Sequence, residues 1–73
     1  MAVFMGRKEV EALREKYPVG TEIVLDWMED SSAPMPGTHG KVRWVDDAGT
    51  IHVNWDNGSS LGLIVGEDKF HKA

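Results

Sequence analysis

The chain has no cysteine. Neither a disulfide framework nor a thiolate metal site can therefore stabilise it, and no redox compartment is implied. It also lacks any apolar run near the roughly 20 residues needed to cross a bilayer. The opening MAVFMG lacks the length and charged leader of a signal peptide. A soluble cytoplasmic protein is the expectation. Aromatic residues are few, with three Trp, two Phe and one Tyr in 73 residues. A single domain of this size buries only about 60% of the surface its unfolded chain exposes, so these rings, with Ile, Val and Leu, must build the core by packing alone. A deep catalytic cleft is not expected.

Positive charge is scarce as well. Eight Lys and Arg face twelve Asp and Glu, for a net charge of −4. The imbalance is uneven, at +1 over residues 1–20 and −5 over residues 21–73. The second segment would repel a phosphate backbone, which disfavours nucleic acid as a partner.

What is present is strongly patterned. In RKEVEALREKY, residues 7–17, Val10, Leu13 and Tyr17 recur at helical spacing among charges, which predicts a short amphipathic helix that needs a surface to lie on. Pro18 and Gly20 end it. The remainder reads as β. TEIVLDW places Ile23, Leu25 and Trp27 in one phase, GKVRWV does the same for Val42 and Trp44, and TIHVNW for Ile51, Val53 and Trp55. A fourth strand is expected in SLGLIV after Asn57-Gly58, a strong hairpin signal because both residues accept positive φ. KFH gives a last short strand beyond the turn at Gly66, Glu67 and Asp68. Five short strands, a long first connection and tight turns thereafter match the order of a mainly β, SH3-like five-stranded small barrel. The tail and helix occupy residues 1–18 and the barrel residues 19–73. By phase, all three tryptophans belong substantially to the core.

No catalytic constellation emerges. Ser31, Ser32, Ser59 and Ser60 lack a nucleophile-elbow context, Asp46-Asp47 precede Ala-Gly and read as a turn, and the glycines lack phosphate-loop spacing. His39, His52 and His71 are too dispersed for zinc. The reading is of a protein that is not an enzyme and has no cofactor. Two segments together are the candidate binding surface, with the helix face of Val10, Leu13 and Tyr17 as the next candidate. The loop MEDSSAPMPGT, residues 28–38, offers Asp30, Ser31, Pro34, Met35 and Pro36, and its prolines would limit the entropy lost on binding. The turn around Asn54, Asp56, Asn57, Ser59 and Ser60 offers polar groups that turn chemistry also explains. Trp27 at the loop entrance and Trp44 opposite it would floor such a surface if they were not core.

VDDAGTIHVNWDNGSSLGLI, residues 45–64, resembles a small domain-of-unknown-function family common in bacteriophages, prophages and conjugative elements. YPVGTEIVLDWMEDSSAPMPGTHGKV and GEDKF fit the same pattern. The sequence departs from it in the loop before Gly37 and at Val65. The resemblance implies an SH3-like fold, a mobile-element origin and a bacterial host cell, and it implies no catalytic residue. The leading expectation is a binding module acting stoichiometrically on a host protein, with mimicry of nucleic acid and inhibition of a host defence as one form. That form requires Asp26, Asp30, Asp46, Asp47 and Asp56 to share a face. The alternatives are a homo-oligomer enclosing a small nucleotide messenger and a nucleic-acid accessory domain using Lys41, Arg43 and the aromatics.

Overall fold

A computed structural model describes residues 6–73. Its elements run α1 (Arg7–Lys16), β1 (Glu22–Trp27), β2 (His39–Val45), β3 (Thr50–Trp55), β4 (Leu63–Ile64) and β5 (Lys69–Lys72). The helix buries Val10, half-buries Leu13 and hands over to the buried Tyr17, as its spacing predicts. These residues join the same apolar cluster as the strands. The helix stripe is thus core and is withdrawn as a candidate docking face. No helix among the described residues is long and apolar enough to cross a membrane.

The strands form one antiparallel sheet in the order β4-β3-β2-β1-β5. Ile23, Leu25, Val42, Val45, Ile51, Val53, Trp55 and Leu63 fill its inner face. Hydrogen bonds do not close the sheet into the expected barrel, because β4 and β5 remain its two edges. β4 is also shorter than expected, on account of residues 60–62, which were to begin it. The Leu61 carbonyl accepts the Trp55 indole N–H at 2.8 Å and the Leu61 N–H bonds Ser59 Oγ at 3.3 Å. Groups that a ladder would use are spent there, and β4 shrinks to two residues.

Two bulges reset the pattern of burial. Between Leu25 and Trp27, β1 advances two residues while β5 advances one, from Phe70 to Lys69. Between Val42 and Trp44, β2 does the same against Val53 and His52. Each extra residue inverts the inward–outward alternation beyond it. The core continues at Met28 and Val45, three residues after Leu25 and Val42, instead of at the tryptophans. Trp27 is accordingly 56% exposed and Trp44 49%, whereas Trp55, on an unbulged strand, is 3% exposed. Strict period-two reading misplaces the first two.

The hairpin turns also differ from the two-residue form expected at Asn57-Gly58. Gly58 has φ +89° while no residue other than glycine has positive φ among the described residues. Trp55 N–H reaches Ser59 O at 3.0 Å and Gly58 N–H reaches Trp55 O at 2.9 Å. This is a three-residue loop, a type I turn closed by a left-handed glycine. Asp46 to Thr50 repeat it, with Gly49 as the left-handed residue.

Candidate functional site

The sheet register sorts the candidate residues to opposite ends. The Asp56 N–H bonds His39 O at 2.9 Å, and the Leu25 N–H bonds Thr38 O at 2.9 Å. Loop 28–38 and the 56–60 turn therefore meet at the end of the sheet where Trp27 lies. Trp44 stands at the other end, beside the residues that leave α1. The two exposed tryptophans do not share a floor.

At the loop end the polar groups are occupied locally. Asp30 Oδ1 accepts the Ser32 N–H at 2.7 Å, Asn57 Oδ1 accepts the Ser59 N–H at 2.9 Å, and Thr38 Oγ1 donates to Met35 O at 2.6 Å. These are self-satisfied turns. Pro34, expected at the surface, is buried and anchors the loop, while Ser31, Met35 and Pro36 are exposed. Asn54 and Ser60 are exposed, the former opposite Lys41 on the outer face.

The Trp44 end is organised differently. The bulge turns the indole outward, where it stacks on His52 with ring centroids 4.8 Å apart and planes at 13°. Nε2 of His52 lies 2.8 Å from Asp46 Oδ2. An ionised carboxylate only accepts, so that nitrogen carries the proton and the imidazole plane is fixed beneath the tryptophan. Asp46 Oδ1 in turn receives the Ala48 and Thr50 N–H groups at 3.0 and 2.9 Å. Turn, histidine and tryptophan thus form one connected assembly, and the sequence gives no signal for it because Trp44 and His52 are eight residues apart on two strands.

Burial pushes the Asp46 carboxyl up, but the His52 hydrogen bond, the two backbone N–H groups and the nearby His52 charge together outweigh it and hold the group below its ordinary value of 3.8. A depressed folded value means that stabilisation is complete above the unfolded value and is lost as pH falls through the folded one. Asp46→Ala is expected to cost roughly 1–2 kcal/mol at neutral pH, because hydrogen bonds to a charged acceptor are lost from a partly exposed site. The deficit should shrink in urea titrations repeated well below pH ~4. An equal deficit at acid pH would show that Asp46 acts by packing alone.

Arg14 completes this end. Its Nε donates to Val45 O at 3.0 Å and its Nη2 to Asp47 Oδ1 at 2.9 Å, pinning α1 to β2. The pair is exposed, so it orients more than it stabilises. Between them Arg14, Tyr17, Pro18, Val19, Trp44 and Val45 line a mostly apolar cleft of about 390 Å³. A more polar cleft of about 450 Å³ continues along the helix past Arg7, Val10, Glu11 and Asp47. Val19 and Trp44 are among the large apolar side chains left exposed. Arg14, Pro18 and Val19 were not singled out as site residues by the sequence, and Tyr17 only as part of the helix face. Only the helix-ending Pro18 could have pointed to that segment.

Each histidine is bound to a different carboxylate: His39 to Glu22 at 2.7 Å, His52 to Asp46, and His71 to Asp26 at 2.9 Å. No group of three or more potential metal ligands converges among the described residues. The five aspartates needed for mimicry of nucleic acid are dispersed. Asp46 and Asp47 sit in the turn before β3 and Asp56 in the turn after it, roughly 20 Å away along a six-residue strand. Asp26 lies on β1 with His71, and Asp30 in the long loop.

Residues 6–73 match the model of the family described as domain of unknown function DUF4314. No curated protein and no solved structure matches the chain.

Proposed function

The chain belongs to the DUF4314 family, and from that premise we propose that it is a non-enzymatic binding module that engages a protein partner stoichiometrically through the Trp44 cleft. The observation carrying this reading is the exposed indole, held by His52 and Asp46 beside an apolar hollow. A large aromatic side chain kept rigid at the surface loses little entropy on contact and is the residue type that dominates interface energies. The strand order, with one long connection followed by tight turns, supports an SH3-like ancestry. The resemblance carried by VDDAGTIHVNWDNG supports origin in a phage or other mobile element and action in the cytoplasm of a bacterial host. Interference with a host defence protein suits a small domain of this kind. The spread of Asp26, Asp30, Asp46, Asp47 and Asp56 favours direct occupation of a partner over imitation of a nucleic acid.

Trp44→Ala tests the proposal. The residue lies outside the core, so the variant should melt within a few degrees of wild type. In affinity capture from host lysate it should lose the partner that wild type retains in equimolar amount. Retention of every wild-type partner by the folded variant would remove the Trp44 cleft as the site.

A further inference from the structure

We infer that the cleft between α1 and β2 accepts a short acidic segment of the partner, anchored by apolar side chains. This rests on the binding reading above and adds the chemistry of the occupant. The chain is acidic overall at −4, yet the surroundings of the cleft are not. Lys16 and Lys72 place their Nζ atoms 5.5 and 5.4 Å from the Tyr17 ring, Arg14 forms the wall, and the exposed Arg43 directly precedes Trp44. Asp47 is paired with Arg14, and Asp46 accepts a hydrogen bond from His52. Lys16, Arg43 and Lys72 make no ion pair among the described residues. Two cations without an ion pair, Lys16 and Lys72, therefore stand at the Tyr17 wall of a cleft whose floor is Pro18, Val19 and Trp44.

Glu29, Glu67 and Asp68 line a separate hollow of about 400 Å³ at the Trp27 end of the sheet. An acidic segment is therefore favoured at the cleft over that opposite end. A nucleic-acid strand fits the same cleft less well, because its phosphates would run on past the few cations. A segment of a few residues stays beside them. Strand addition is not the mode here, since the backbone beside the cleft is already paired through Gly20 N–H to Val42 O and Val42 N–H to Thr21 O. Recognition falls to side chains.

The test is selection of a random dodecapeptide display library on the intact protein, followed by fluorescence-anisotropy titration of the enriched peptides. The expected consensus sets Asp or Glu next to Leu, Pro or an aromatic residue. Binding should weaken about tenfold or more in Trp44→Ala, and by a similar factor in the Lys16→Glu, Lys72→Glu double variant. It should also weaken on raising salt from about 50 to about 300 mM, a readout that stands even if the double variant fails to fold. Trp44-dependent peptides that are neutral or basic would overturn the acidic assignment and leave the binding reading standing. Enriched peptides indifferent to Trp44 would overturn both. Tighter Trp44-dependent binding of adenosine monophosphate or an oligothymidylate would transfer the cleft to nucleotides. Trp44-dependent self-association in ultracentrifugation would transfer it to a second copy of the chain.

Discussion

Trp55→Ala is expected to remove much of the folding stability of the domain. The indole is 3% exposed, lies in the inner face with Ile51 and Val53, and gives its N–H to Leu61 O. Truncating a buried aromatic costs about 3–5 kcal/mol, and the carbonyl of Leu61 loses its partner besides. A domain of this length has a total stability of only about 4–11 kcal/mol, so the loss consumes much or all of it. Trp55→Phe should separate the two contributions by keeping most of the packing while forfeiting the hydrogen bond, worth about 0.5–1.5 kcal/mol. Urea denaturation followed by far-ultraviolet circular dichroism measures both. An unchanged midpoint for Trp55→Ala would mean that the ring is not in the core.

Gly40→Ala should destabilise for the complementary reason, an excess of matter where Trp55→Ala leaves a deficit. Gly40 faces Trp55 in the ladder. A methyl group there would stand 2.6 Å from Val53 Cγ1, 2.7 Å from Trp55 Cε3 and 3.1 Å from Asn54 O. Overfilling a packed core costs about 1–3 kcal/mol, and a backbone atom among the neighbours limits relief. Removing Trp55 removes one of the three obstructions, so Gly40→Ala should cost less in a Trp55→Phe or Trp55→Ala background. Neighbours in contact couple in this way. Strictly additive losses across the urea-denaturation cycle would show that the ring and the glycine do not meet.

The helix and the positions of all five strands were legible because each is a local pattern, with apolar residues at helical spacing or in alternation. Trp55 was legible for the same reason. Trp27 and Trp44 were not, because a bulge is a mismatch between two strands and leaves no mark on either one alone. Asp26 and Arg43, within the bulged steps, are ordinary strand-surface residues by type. The extent of β4 was hidden by a bond between an indole and a carbonyl six residues away. Of the candidate site, the sequence offered Trp44 without its setting. His52 and Asp46 were visible as an outward histidine and a turn aspartate, and only the pairing of β2 with β3 makes them a support.

The bulge before Trp44 also bears on how such a domain can diverge. Substitution at Arg43 alters only what the surface presents, since the side chain faces solvent. Loss of that one codon would remove the bulge and restore unbroken alternation, with Trp44 still outward opposite His52 and Val45 still inward opposite Ile51. At this one position, then, descent by replacement and descent by loss are equivalent routes. Either edits the contact surface with the core intact.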